Sequence, residues 1–125
     1  MNYSKKILKR FSNPKNVGRM KNPDGIGDVG NMVCGDRMVV YIKVKKEKIK
    51  DISFLTYGCV SAIASSDIVC DLVKGKTLKE AEKLTYDRVV KALGGMPPIK
   101  LHCSVLGISA LKKAIEDYRN KQKVK

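Results

Sequence analysis

Two hydrophobic patterns divide the chain, and the change between them falls near Gly58. Before that point apolar and polar residues alternate along Asp36–Val44, as on a strand with one buried face, and a similar run covers Ile49–Thr56. The polar stretch Lys45–Lys48 between these runs predicts a hairpin loop. A shorter third strand is predicted at Val29–Val33.

After this point the apolar residues recur at the spacing of an α-helix. The first helical run extends from Val60 to Leu72 in steps of four, and Gly75 is placed to end it. Thr77 and Glu80 then have the spacing of a capping box, in which hydroxyl and carboxylate each accept a hydrogen bond from a free backbone N–H at a helix start. The sequence therefore predicts a second helix directly after the first.

Two more helices follow. Thr85 is placed to begin one that ends at Gly94–Gly95, and the last helix is predicted from about Ser104. The last helix carries an apolar face made of Ile108, Leu111, Ile115 and Tyr118. The predicted fold is α+β, a single domain over residues 1–125 in which an antiparallel sheet of about three strands packs against the later helices.

Composition and charge narrow the class of protein. The 125 residues carry a net charge of +14, and the longest apolar run, Met38–Ile42, is much too short to cross a bilayer. The N-terminus lacks the apolar core of a secretory signal. Its basic first residues faintly suggest a transit peptide, but Ser4–Phe11 is better interpreted as a first helix. We expect a cytoplasmic protein with reduced thiols and no membrane contact.

Three of the four cysteines lie at junctions between predicted elements, where chemistry is often located. Cys34 precedes a strand, Cys59 lies between a strand and a helix, and Cys103 precedes the last helix. Cys70 instead falls on the apolar stripe of the first long helix, where a packing role is expected. Three thiolates with one imidazole or carboxylate would complete a four-coordinate iron or zinc site, although the chain has no CxxC pair.

Three segments around these cysteines resemble the iron–sulfur cluster scaffold family of IscU and the N-terminal domain of NifU. They are Cys34-Gly35-Asp36, the run Thr56-Tyr57-Gly58-Cys59, and Pro97-Pro98-Ile99-Lys100-Leu101-His102-Cys103-Ser104. The resemblance extends from Tyr3 to about Asn120.

The resemblance implies a non-enzymatic scaffold that assembles a labile [2Fe–2S] cluster on Cys34, Cys59 and Cys103. It implies Asp36 or His102 as the fourth iron ligand, and it makes Cys103 a candidate to accept persulfide sulfur from a cysteine desulfurase. Apo iron–sulfur proteins would receive the cluster. A zinc-bound sulfurtransferase that relays the persulfide is the alternative, because zinc fits the same donor set.

The segment Met96-Pro97-Pro98-Ile99-Lys100 resembles the family's motif for a DnaK-type chaperone. A rigid Pro-Pro segment loses little entropy on entering an extended-peptide groove, and it could equally be a stiff connector that positions His102 and Cys103. Both roles stay open.

Two other classes of function fit the sequence less well. The basic charge would favour nucleic acid, but aromatic residues are only 6% and no nucleic-acid module is visible, so a lysine-rich solvated surface is expected. A hydrolase or transferase using Cys103 and His102 is disfavoured because adjacent residues rarely point at each other productively.

Overall fold

The structure is a computed structural model and describes residues 5–31, 36–57, 60–92, 94 and 101–124. Three antiparallel strands form one sheet in the order β1-β2-β3. The elements in chain order are α1 (Lys5–Ser12), β1 (Gly25–Asn31), β2 (Asp36–Lys45), β3 (Lys48–Tyr57), α2 (Val60–Val73), α3 (Leu78–Glu82), α4 (Tyr86–Ala92) and α5 (Leu101–Val124). This architecture confirms the predicted α+β class. No helix among the described residues is long and apolar enough to cross a membrane.

One face of the sheet forms the core together with α2 and α5. The alternating residues of β2 and β3 and the apolar stripes of the helices supply it, as the hydrophobic pattern predicted. Its largest fully buried side chains are Phe54, Met38, Ile42, Ile49, Leu78, Leu111, Ile115, Val40, Val69 and Val73. Cys70 is only 1% exposed and packs in this core, which confirms its packing role.

The predicted third strand begins earlier than expected. β1 covers Gly25–Asn31 rather than Val29–Val33, and Val33 lies outside the described residues. The reason is that β1 faces α5 through glycines: a Cβ on Gly27 would overlap the carbonyl oxygen of Ala110 and lie 2.6 Å from the amide nitrogen of Ala114. A strand that packs through glycine lacks the apolar alternation by which strands are recognised.

The hairpin loop is shorter than predicted. It consists of Lys46 and Glu47 alone, with φ angles of 53° and 64°, and Lys45 pairs with Lys48. Two residues at positive φ are typical of a type I′ turn, which matches the twist of the flanking strands. Tight pairing therefore holds two residues in a conformation that usually takes Asn-Gly.

The helix termini follow the predicted signals with one correction. Thr77 Oγ1 accepts a hydrogen bond from Glu80 N at 3.1 Å, and Thr77 N donates to Glu80 Oε1 at 3.3 Å, which confirms the capping box. Gly75 and Gly94 take positive φ after α2 and α4. The last helix begins at Leu101 instead of about Ser104.

A buried carboxylate holds the segment after α1 against the rest of the molecule. Asp67 of α2 is fully buried, and its Oδ1 accepts hydrogen bonds from Lys15 N at 2.9 Å, Asn16 N at 2.8 Å and Asn16 Nδ2 at 3.0 Å. Phe54 N donates to Asn16 O, and Gly18 N donates to Phe54 O, each at 2.9 Å. Residues 16–18 thereby pair with the free edge of β3.

Candidate functional site

The residues on either side of Cys34 and Cys59 lie together at one end of the sheet. Asn31, the last residue of β1, pairs with Asp36, the first residue of β2, and Arg37 pairs with Tyr57, the last residue of β3. Cys34 lies in the connection from β1 to β2, and Cys59 lies in the connection from β3 to α2. Both cysteines are outside the described residues. We call this end of the sheet, defined by Asn31, Asp36 and Tyr57, the junction end.

The direction of α5 brings its first turn to the junction end as well. Gly25 lies against Ala114 and Gly27 against Ala110, so the helix runs antiparallel to β1. Cys103 lies seven residues before Ala110, which is about 10 Å along a helix. Asn31 lies four residues after Gly27, which is about 13 Å along a strand. The backbone of the first turn of α5 is therefore level with the end of β1.

Helix α2 starts at the same end and runs beside α5. It begins at Val60, directly after β3, and its far end lies near the hairpin, where Gly75 N donates to Ile49 O at 2.8 Å. The two helices touch midway, since a Cβ on Gly107 would lie 3.1 Å from Ser66 Oγ. Two helix N-termini thus lie at the junction end, and their positive dipole ends favour thiolates over thiols.

The predicted site residues that the structure describes lie on β2 and α5. Asp36 begins β2, and His102 and Cys103 are the second and third residues of α5, which corrects the expectation that Cys103 precedes that helix. The segment Met96–Lys100, predicted to bind a chaperone, lies outside the described residues.

A charged fork near the junction end was missed from the sequence. Arg37 donates from Nη2 to Asp28 Oδ2 at 2.6 Å and from Nε to Asp28 Oδ1 at 3.1 Å. The hydrogen bond from Arg37 is the main cause of a lowered pKa of Asp28. Thr56 Oγ1 donates to Arg37 O at 2.7 Å. These bonds join the three strands beside Asp36 and fix where β2 starts.

This fork is a diagonal cross-strand pair, the kind that forms between residues i and j±2. The opposite charges of Asp28 and Arg37, on either side of the predicted strand Val29–Val33, are its only trace in the sequence. Without the correct register of β1 that trace could not be interpreted.

Comparisons with known proteins agree with this architecture. The family model described as "NifU-like N terminal domain" matches residues 2–125. "Iron-sulfur cluster assembly scaffold protein IscU 1" of Archaeoglobus fulgidus is 53% identical over 119 residues, which cover 95% of this chain and 78% of that protein. The scaffold protein IscU of Escherichia coli is 46% identical over 129 aligned positions and is covered completely, as is this chain.

Solved structures show the same fold at lower identity. The N-terminal NifU-like protein of Brucella abortus superposes with a TM-score of 0.75 at 22% identity, over 94% of both chains. A putative scaffold protein for the SUF system from Fervidobacterium islandicum gives a TM-score of 0.76 at 23% identity, over 90% of this chain and 96% of that one.

Proposed function

Because this chain belongs to the NifU-like N-terminal domain family, we propose that it is a scaffold on which an iron–sulfur cluster is assembled before transfer to recipient proteins. The relatives whose names carry this role share about half of its residues over most of its length. The cluster is cargo here, so the chain must hold it well enough to build it and weakly enough to release it.

Cys34, Cys59 and Cys103 are the proposed cluster ligands. The observation that carries this assignment is the convergence at the junction end. The described neighbours of the first two cysteines and the backbone of the first turn of α5 reach that one place from five different elements. The proposed ligands are thus flanked by paired strands and packed helices that are far apart in the sequence.

Asp36 and His102 are the proposed alternatives for the fourth iron ligand. Three thiolates with one harder ligand should hold a [2Fe–2S] cluster less permanently than four thiolates do. Asp36 starts β2 and His102 immediately precedes Cys103 in α5, so exchange between them would involve two elements that already meet at the junction end. Lability of this kind is what a donor of clusters requires.

Cys103 is also the proposed acceptor of sulfur from a cysteine desulfurase. Its thiolate would attack the outer sulfur of the desulfurase persulfide, the S–S bond there would break, and the desulfurase thiolate would leave. The position of Cys103 in the first turn of α5 favours the reactive thiolate. Met96–Lys100 remains the proposed segment for a DnaK-type chaperone, and apo iron–sulfur proteins are the proposed recipients.

The test is anaerobic reconstitution with ferrous iron and sulfide. The wild-type protein should develop the visible absorption of a cluster, and Cys34→Ser, Cys59→Ser and Cys103→Ser should each lose it. Cys70→Ala is the matched control, because this thiol is buried in the core of α2 and should not be needed for colour. A colourless wild type, or full colour in any of the three serine variants, would overturn the assignment.

A desulfurase turnover assay, run beside the reconstitution, separates the scaffold from a zinc-bound sulfurtransferase. Zinc would fit this donor set. Stimulation of desulfurase turnover by the zinc-loaded protein, with no cluster formed under reconstituting conditions, would favour the sulfurtransferase.

A further inference from the structure

A cavity lies on the side of the sheet away from α2 and α5, and it extends from the middle of the sheet toward the hairpin. Its volume is about 360 Å³, and it is lined by residues 17–21 together with Lys43, Asp51 and Ser53. Residues 18–24 leave the edge of β3 and reach β1 beyond β2, so we call them the strap and the space beside them the strap cavity.

The sheet contributes outward-facing side chains to the strap cavity. Lys43 and Asp51 are paired in the β2–β3 ladder, and Ser53 is two residues further along β3. The neighbours Ile42 and Phe54 are fully buried on the core side. Because successive side chains alternate between faces, the lining residues point away from the core.

Both ends of the strap are fixed by hydrogen bonds. At its start Gly18 N donates to Phe54 O at 2.9 Å, next to the segment held by Asp67. At its end Asp24 N donates to Ile42 O at 2.8 Å, and Asp24 Oδ2 accepts from Val44 N at 2.8 Å. The cavity therefore lies beside a segment that is anchored to the sheet on both sides.

The charges that line the strap cavity favour an anion. Arg19, Lys21 and Lys43 contribute three positive charges against the single carboxylate of Asp51. That carboxylate is partly engaged elsewhere, because its Oδ1 accepts a hydrogen bond from Ile52 N at 2.9 Å and lies 3.7 Å from Lys74 Nζ.

Ser53 gives a second, independent indication that the strap cavity binds a ligand. Its hydroxyl oxygen is buried and finds no hydrogen-bond partner within the part of the chain that the structure describes. A buried polar group without a partner costs about 1–3 kcal/mol, so such groups are usually satisfied by something. Ser53 lines the strap cavity, and a small displacement of the strap would let a ligand oxygen reach this hydroxyl and accept a hydrogen bond from it.

We propose that the strap cavity binds an oxyanion of the phosphate class, free or as a small phosphate ester. A tetrahedral dianion can accept hydrogen bonds from Arg19, from both lysines and from Ser53 at the same time. The volume exceeds what a bare phosphate fills, which leaves room for a small organic group. The site is separate from cluster assembly, because Ser53, the strand residue of the lining nearest the junction end, lies four residues from Tyr57, which is about 13 Å, and Lys43 lies about 20 Å from Arg37.

The test is a titration followed by amide chemical shifts at constant ionic strength, with inorganic phosphate and ribose 5-phosphate as probes. Saturable shifts are expected at Gly18, Arg19 and Ser53. Tighter binding of the sugar phosphate than of inorganic phosphate would identify an ester as the ligand, and equal binding would identify the free ion.

Two variants and one matched control test whether Lys43 and Ser53 bind the anion. Lys43→Gln and Ser53→Ala should each weaken binding roughly tenfold, the loss expected for a hydrogen bond to a charged group. Lys50→Gln removes the same charge from an exposed position of β3 outside the lining and should change binding less than about twofold.

Shifts that do not saturate, or an equal loss in Lys50→Gln and Lys43→Gln, would overturn the proposal. So would saturable binding of hexaglutamate at the cavity without competition from phosphate, because it would make the site a docking point for acidic protein. Lys43→Gln should still assemble a cluster, so failure here is distinguishable from failure of the scaffold role.

Discussion

Replacement of Gly27 by alanine should loosen α5 from the sheet. The added methyl group would overlap the carbonyl oxygen of Ala110 and lie 2.6 Å from the amide nitrogen of Ala114. Both are backbone atoms of a helix and cannot rotate away as a side chain could. Because non-bonded heavy atoms have their optimal separation near about 3.5 Å, α5 must move away from β1 by about 1 Å or more.

The displacement of α5 should lower the free energy of unfolding by an amount at the upper end of the range for overpacked cores. Overpacked cores lose about 1–3 kcal/mol, and here the strain falls on a rigid backbone, so we expect about 3 kcal/mol. For a domain of this size that lowers Tm by roughly 10 °C. Helix α5 also carries His102 and Cys103, so the displaced helix should assemble less cluster even under conditions where the variant is fully folded.

Urea unfolding and cluster reconstitution are measured on the same samples. Ile26→Val is the matched control, because it alters one methyl group on the adjacent residue, which is 40% exposed. Ile26→Val should lower the free energy of unfolding by less than about 1 kcal/mol and leave cluster reconstitution unchanged. If Gly27→Ala were as stable as this control and assembled as much cluster, the close seating of α5 on β1 would be refuted.

Three further predictions concern stability. Asp67→Asn should lower the free energy of unfolding in urea by about 2 kcal/mol, because three N–H groups lose a charged acceptor. Asp71→Asn is the control: this exposed carboxylate accepts one hydrogen bond from Asn16 Nδ2, and its replacement should lower the free energy of unfolding by less. Lys46→Asn combined with Glu47→Gly should raise that free energy by about 1 kcal/mol without changing net charge, since both positions have positive φ; a loss would contradict the turn assignment. The lowered pKa of Asp28 means that its contribution to stability is present above the unfolded pKa and disappears as the pH falls through the folded pKa. The Tm advantage of the wild type over Asp28→Asn should therefore shrink between about pH 5 and about pH 2, and a constant difference would argue against the fork with Arg37.

The strands show what a sequence can and cannot predict. β2 and β3 were predictable because each buries one face, which forces apolar residues into every second position. β1 was displaced by several residues because Gly25 and Gly27 give the strand a buried face without apolar side chains. The two-residue turn at Lys46–Glu47 was hidden for a related reason: neither residue is one that favours positive φ, and only the pairing of Lys45 with Lys48 imposes it.

The sequence predicts which residues form the candidate site, but not how the fold brings their neighbours together. The junction cysteines could be singled out because chemistry concentrates where elements end, and the resemblance to known scaffolds assigned their roles. What the sequence could not supply was the register of β1 against β2 and the antiparallel course of α5 along β1. Those two features bring the flanks of Cys34 and Cys59 to the same end as the first turn of α5. Both depend on long-range packing of glycine and alanine, which leaves a weak local signal.

We propose that three thiolates meet at the junction end as ligands of one metal centre. X-ray absorption of the protein loaded with zinc counts them directly. Such a centre should hold one zinc ion per chain with three sulfur atoms at about 2.3 Å and one nitrogen or oxygen at about 2.0 Å. Serine at position 34, 59 or 103 should reduce the sulfur count to two. One or two sulfur ligands in the wild-type protein, or no stoichiometric zinc, would contradict it.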